Sequence, residues 1–294
     1  MIVIKFNGGL ANQLNNYVFY LYIKRVFPNA NIKVDLDRYI YDKYKVHNGF
    51  ELKKVFDIDL ETATTREILR CHGTYERHRK GIIDILKKIY YNSIKHYGRA
   101  ISNEEWNGIL TNKSAVVEDD FWIDATREAY LMNRREFFVP KIRFCKSLDQ
   151  NNINLLGEIS SCNSISVHVR RGDFIGTEFD QTPSVYYYDA IDWYRTHTDS
   201  PRFFLFSDDK EYLYEHFGRC DDCTIIECNN GDDSYIDMQL MSCCKNHVLC
   251  ANSGFGLWAA YLNPNRDKIA TFPEGFEPAL TANCPVKYIE IKKR

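Results

Sequence analysis

The chain is 294 residues long, with 45% apolar, 27% charged and 14% aromatic residues and a formal net charge of −2. That length is more than one hydrophobic core usually serves, so two domains are expected, and the apolar share is that of an ordinary globular protein. The near-balance of charge excludes a strongly basic nucleic-acid surface, and no run of about 18 apolar residues is present to span a bilayer.

Met1 to Phe6 enters strand-like sequence directly, with no secretory leader legible ahead of it. A glycine-rich turn follows, Asn7-Gly8-Gly9-Leu10-Ala11-Asn12-Gln13. A helical pattern then runs from about Gln13 to Val26, with Leu14, Val18, Leu21 and Ile23 near one face, and Pro28 closes it. Ile32 to Leu36 reads as the next strand, which completes a βαβ unit. From Tyr39 to Leu110 the texture is helical and polar. Within it Arg77, Arg79, Lys80, Lys87, Lys88, Lys95 and Arg99 interleave with Ile82, Ile83, Ile85, Leu86, Ile89 and Tyr90. Such a basic amphipathic segment suits either a helix docked on its own domain or one lying on an anionic membrane surface.

The second half alternates more regularly. Strands are expected at Ile165–Val169, Phe203–Phe206, Thr224–Glu227, His247–Cys250 and Lys268–Thr271, with helices near Ser184–Thr196, Lys210–Phe217, Tyr235–Cys244 and Gly254–Leu262. Alternation of this kind predicts a parallel sheet wrapped by helices. The change in texture near residues 145–160 divides the chain into domains 1–150 and 151–294. Ten cysteines without a secretory leader are expected to be reduced thiols in a cytoplasmic protein. Cys220-x-x-Cys223 is half of a zinc spacing, but Cys228, Cys243, Cys244 and Cys250 do not supply the matching pair, so no metal site is expected.

The most informative stretch is Ser166-Val167-His168-Val169-Arg170-Arg171-Gly172-Asp173-Phe174. A β-branched run ends in two permanent, fork-shaped cations, then a glycine and a carboxylate. In an open α/β sheet the ligand crevice lies at the carboxyl ends of the strands. Adjacent arginines there suit a bidentate grip on phosphate, and Gly172 permits a tight turn beside it. On a strand, His168 and Arg170 would share a face.

Three separated blocks carry a resemblance to glycosyltransferase family 11, the α-1,2-fucosyltransferases. Gly8-Gly9-Leu10-Ala11-Asn12-Gln13 resembles that family's GGLGNQ, with Ala11 in place of a glycine. His168-Val169-Arg170-Arg171-Gly172-Asp173-Phe174 resembles its HVRRGDY, with Phe174 in place of tyrosine. Leu240-Met241-Ser242 and Ala251-Asn252-Ser253-Gly254-Phe255-Gly256-Leu257-Trp258 resemble its LMS…NSTFSWW block, and Phe206-Ser207-Asp208-Asp209 its FSDD signature. The chain departs from the family in two places. Glu118 to Asp124 stands where a GYWQSE-like segment is common, and the tryptophan pair is reduced to Leu257-Trp258. Both positions are expected at the acceptor side or the cleft wall, so they bear on acceptor choice.

The resemblance implies a GT-B-like α/β fold, with two Rossmann-like domains facing a cleft. It implies inverting transfer of L-fucose from GDP-fucose to O2 of a terminal β-galactoside in a surface polysaccharide or lipid-linked glycan. No cofactor or metal is implied, so arginine and backbone N–H groups must stabilise the departing diphosphate. Arg170 is the expected main contact and Arg171 the second, with His168 helping to hold the nucleotide. Asp237 is expected to pair with guanine N–H donors, and Ser253 with Asn252 to bind phosphate at a helix start. Asp208 is counted with the substrate-binding residues, and Gly9, Asn12 and Gln13 with the sugar or diphosphate. The catalytic base is left between Asp173 and Glu178. A transferase for another GDP-sugar or linkage, and a non-catalytic GDP-sugar- or glycan-binding module, are the alternatives. The expected location is cytoplasmic, with peripheral contact at the inner face of an anionic membrane.

Overall fold

The computed structural model describes residues 1–41, 47–72, 99–100, 121–124, 142–276 and 286–292. The chain forms two compact units, Met1–Lys54 with Ile58–Met132 and Val55–Asp57 with Asn133–Arg294. The basic segment over residues 77–99 lies outside the described residues except for its last position. No helix among the described residues is long and apolar enough to cross a membrane.

In the first unit β1 (Ile2–Lys5), β2 (Ile32–Asp35), β3 (Arg99–Ala100) and β4 (Phe121–Asp124) form one sheet in the order β2-β1-β4-β3. All pairings are parallel. A parallel strand covered on both faces reads as a continuous apolar run, and Ile2, Val3 and Ile4 are accordingly fully buried. Helix α1 (Leu10–Val26) starts three residues before the apolar periodicity does. Gly9, in extended backbone, is its N-cap, so Leu10, Ala11 and Asn12 are its first turn. Phe27 donates its N–H to the Ile23 carbonyl, Lys24 and Arg25 face the negative end of the dipole, and Pro28 cannot continue the ladder. Three short helices follow: α2 (Asp37–Tyr41), α3 (Leu52–Phe56) and α4 (Thr65–His72).

The second unit holds α5 (Gln150–Ser161), β5 (Asn163–Val169), α6 (Ser184–His197), β6 (Pro201–Ser207), α7 (Lys210–Phe217), β7 (Cys223–Ile225), α8 (Tyr235–Cys243), β8 (Asn246–Val248), α9 (Gly254–Leu262), β9 (Ile269–Pro273) and β10 (Lys287–Ile291). The six strands are all parallel, in the order β10-β9-β8-β5-β6-β7. From β5 the chain steps outward through β6 and β7, then returns to the other side of β5 as β8. That reversal leaves a crevice at the carboxyl ends of β5 and β8, where such sheets bind ligands.

Side-chain alternation along β5 sorts its two faces. Ile165, Val167 and Val169 join Phe203, Leu205 and Val248 against Tyr186, Ala190, Ile191 and Tyr194 of α6, all fully or nearly fully buried. Each such side chain contributes roughly 1.5–3 kcal/mol relative to exposure. Ser164, Ser166 and His168 point to the opposite face and are buried too. The tyrosines of α6 also satisfy sheet carbonyls: Tyr186 Oη donates to Leu249 O at 2.6 Å, and Tyr194 Oη reaches His247 O and Ile269 O, each at 3.0 Å.

Candidate active site

β5 ends at Val169, and the arginine motif turns out of the sheet at the reversal point. Arg170 lies between two carboxylates, with Nη2 at 2.7 Å from Asp173 Oδ1 and Nη1 at 3.0 Å from Asp208 Oδ2. Its side chain keeps 32% of its surface exposed. Arg171 donates its backbone N–H to Asp208 Oδ1 at 2.9 Å and its Nε–H to Asp209 Oδ2 at 3.0 Å. Its guanidinium carbon stands 4.1 Å from the centroid of the Tyr212 ring. Asp208 therefore joins both arginines. A Cβ on Gly172 would come within 2.6 Å of Asp208 Oδ2, so this carboxylate can close on the loop because the residue is glycine. Asp209 also caps α7 by accepting from Tyr212 N at 3.0 Å. That bond, followed by Arg171, holds its carboxyl below the usual carboxylate range.

The loop after β8 meets the arginine loop. Ala251 donates its N–H to Thr182 Oγ1 at 2.8 Å, and Asn252 Nδ2 reaches Phe179 O at 3.5 Å. Asn252 has φ +59°, a left-handed conformation that asparagine tolerates better than most side chains. This kink starts α9 at Gly254, with the buried Ser253 as its N-cap and no side-chain cap bond. The first N–H groups of the helix are thus uncapped by Ser253, and its dipole favours an anion there. His168 is 6% exposed and lies against this turn. Its Nδ1 is 3.4 Å from Cys250 Sγ, and the Phe255 ring is 5.6 Å away between centroids. A Cβ on Gly256 would come within 2.9 Å of His168 Nδ1. Burial, then Arg170, pushes the imidazole pKa down to about 4.

Asp237 belongs to a separate buried network. Its Oδ1 accepts from Asn229 Nδ2 at 2.8 Å; Asn229 and Asn152 exchange amide hydrogen bonds at 3.0 Å; and Asn152 donates to Asp149, the N-cap of α5. Burial pushes the Asp237 carboxyl up to about 6, partly offset by Asn229 and Lys210. None of its contacts among the described residues reaches the arginine loop. Glu178 is exposed within the 171–183 loop, and its carboxylate has no ion pair or hydrogen bond among the described residues, whereas Asp173 is held by Arg170.

Gly9, Asn12 and Gln13 lie in the first unit. Gly8 has φ +77°, and an added Cβ would overlap Asn12; a Cβ on Gly9 would meet His47 at 3.3 Å. Gln13 is fully buried, and its amide is spent inside the protein. Nε2 donates to Gly8 O at 3.1 Å and Gly49 O at 2.8 Å, while Oε1 accepts from Glu51 N at 2.8 Å. Tyr39 Oη donates to the same Gly8 carbonyl at 3.0 Å. Gln13 thus pins the glycine turn to the 49–51 segment.

The arginine loop, the turn into α9 and the six-stranded parallel sheet are the parts to compare with known proteins. The sequence profile of Glycosyl transferase family 11 matches residues 121–275. The chain belongs to glycosyltransferase family 11. This family 11 chain is 30% identical to an α-1,2-colitosyltransferase of Escherichia coli, across 100% of its own length and 99% of the relative's. It is 27% identical to the O-antigen biosynthesis glycosyltransferase WbnK of Escherichia coli, across 91% and 92% of the two chains. Its fold is similar to that of the NodZ α-1,6-fucosyltransferase from Bradyrhizobium, in crystals soaked with GDP-fucose. There the TM-score is 0.52 at 16% identity, over 90% of this chain and 92% of that one. The GT-B-like α/β fold implied by the motifs is thereby established, and the family 11 chain is a glycosyltransferase.

Two residues of the site carried no signal in the sequence. Asn152 and Asn229 surround Asp237 from 85 and 8 positions away, and an isolated asparagine announces nothing. Cys250 was legible only as an inert buried thiol, although it is the hydrogen-bond neighbour of His168. The half-zinc motif places ligand atoms of Cys220, Asp222 and Cys223 within 4.8 Å of one another. Arg195 already engages that group, with Nη2 at 2.8 Å from Asp222 Oδ1 and 3.5 Å from Cys220 Sγ.

Proposed function

We propose that this glycosyltransferase moves L-fucose from GDP-fucose to O2 of a terminal β-galactoside with inversion at the anomeric carbon. The observation that carries the reading is Arg170, a partly exposed guanidinium held between Asp173 and Asp208 at the carboxyl end of β5. A carboxylate pair keeps the fork ordered, and a diphosphate, with more charge and more acceptor oxygens, can exchange for Asp173. As the sugar–phosphate bond breaks, charge grows on the diphosphate, and Arg170, Arg171 and the uncapped N–H groups at the start of α9 stabilise it without metal. Asp237 accepts the guanine N–H donors, His168 holds the nucleotide, and the glycine turn with Gly9 and Asn12 serves the sugar side.

Glu178 is the base in this reading. Its carboxylate, without an ion pair or hydrogen bond among the described residues, can take the acceptor's O2 proton as the oxygen attacks, while Asp173 serves as the exchangeable partner of Arg170. A second reading is favoured by the 30% identity to a colitosyltransferase: the same 1,2-linkage with a different sugar. A screen of GDP-sugars against β-galactoside acceptors, read by product mass with and without EDTA, tests all of this. Turnover with GDP-fucose that is insensitive to EDTA supports the proposal. Exclusive use of another GDP-sugar moves it to the second reading, and GDP binding without turnover on any donor rejects both. Association with the inner face of an anionic membrane is part of the proposal, and flotation with anionic liposomes at low salt tests it.

A further inference from the structure

We propose that Cys250 is a positioning residue: its thiol donates to His168 Nδ1, fixes the imidazole proton on Nε2 and so presents an N–H donor to the nucleotide. The proposal rests on reading the crevice at β5 and β8 as the nucleotide site. Cys250 Sγ is 3.4 Å from Nδ1, within hydrogen-bond range for sulfur. Sulfur is a weak acceptor and the lone-pair nitrogen of a neutral imidazole a good one, so the thiol proton goes to Nδ1. Burial keeps the thiol protonated, with its pKa up at about 11, and keeps the ring neutral, with its pKa down at about 4. Each group then has a single proton to place. Nε2 has no hydrogen-bond partner among the described residues and is not among the sealed, unpartnered polar atoms. The close approach of the Gly256 backbone holds the ring against rotation.

The neighbouring strand supplies a contrast. His247 on β8 is fully buried and uses both nitrogens: Asn263 Nδ2 meets Nε2 at 2.8 Å, and Ser166 Oγ meets Nδ1 at 2.8 Å. An amide NH₂ can only donate, so Nε2 of His247 accepts and its proton sits on Nδ1. The two histidines therefore hold opposite tautomers. One is closed on itself, and the other is left with an outward donor. The opposite tautomer at His168 would turn a lone pair toward an anionic ligand, an unfavourable contact beside Arg170.

The test uses the full chain labelled with 15N-histidine, with two-bond 1H–15N spectra that report the tautomer and His168 assigned through H168Q. Expected in the unliganded wild type are an Nε2–H pattern for His168 and an Nδ1–H pattern for His247. In C250A the His168 pattern shifts toward a mixture while His247 stays unchanged, which also verifies the fold. C250S, which keeps a donor, retains the wild-type pattern. GDP affinity falls about fivefold in C250A and recovers in C250S, while kcat at saturating donor changes less than twofold. An Nδ1–H pattern for wild-type His168, or a C250A protein with unaltered spectrum or unaltered GDP affinity while H168Q binds weakly, overturns the proposal. If instead H168Q binds GDP as tightly as wild type, the nucleotide-site reading fails, and the positioning role falls with it even where the tautomer is as expected.

Discussion

The glycine turn and the arginine loop are equally conspicuous as sequence, yet their polar groups are used in opposite ways. In the turn, the Gln13 amide is fully buried, with both N–H groups donating to Gly8 and Gly49 and the oxygen accepting from Glu51. In the loop, Arg170 and Arg171 are about one-third exposed and balanced against Asp173, Asp208 and Asp209, acceptors that an incoming diphosphate can replace. The first arrangement builds a shape and the second stores a binding capacity. A motif's polar residue marks ligand contact only where its hydrogen bonds are exchangeable.

The contrast is broken or sharpened most by the largest effect. Arg170→Ala should lower transfer on the order of 10³-fold with little loss of stability, because its partners are solvent-accessible, and Arg170→Lys should fall between. Steady-state rates with urea midpoints measure both, and a full-rate Arg170→Ala removes the loop from the chemistry. Next comes the base. Glu178→Gln is expected to lose on the order of 10²-fold in transfer and Asp173→Asn much less. The reverse ranking would return the role to Asp173.

Asp237 gives a smaller effect with a pH signature. Its folded pKa of about 6 means the carboxyl is protonated below that value in the free protein. Guanine N–H donors favour the carboxylate and lower the pKa in the complex, so binding releases a proton and affinity rises as pH increases toward 6. The limiting slope below 6 is about tenfold per pH unit. Calorimetry of GDP binding between pH 5 and 7.5 shows this slope for the wild type and a flat profile for Asp237→Asn; a flat wild type contradicts the guanine role.

On the other side, Gln13→Ala should cost about 2–4 kcal/mol in unfolding free energy by leaving Gly49 O and Glu51 N without partners, yet leave GDP affinity of the folded protein intact. Lost affinity at unchanged stability would erase the distinction between the two regions. The smallest change is Gly172→Ala. Its Cβ displaces the Asp208 carboxylate from the Arg171 N–H, for about 1–2 kcal/mol and a few-fold in rate.

Much of the second unit was legible residue by residue. Helices α7 and α9 begin and end where the apolar periodicity and turn residues put them, and β5 differs only in starting two residues early. Helix α5 went unread because it buries only Asn152 and Ile159, so it has no apolar stripe; the Asp149 N-cap defines it. Helix α1 begins inside the glycine motif because a glycine N-cap gives no polar side-chain signal.

The sequence by itself determined the fold class, the family and the charged loop. Those depend on local periodicity and on contiguous motifs, which are written along the chain. Only the tertiary structure decided which polar groups are exchangeable. It decided that Gln13 is spent on Gly49 and Glu51, that Asn152 and Asn229 enclose Asp237, and that Asp208 joins both arginines across 37 or 38 residues. It also brought Cys250 to His168 across 82 residues. Hydrogen bonding and burial are set by neighbours in space, and the parallel β5–β8 pairing creates those neighbours only once the sheet has reversed its order.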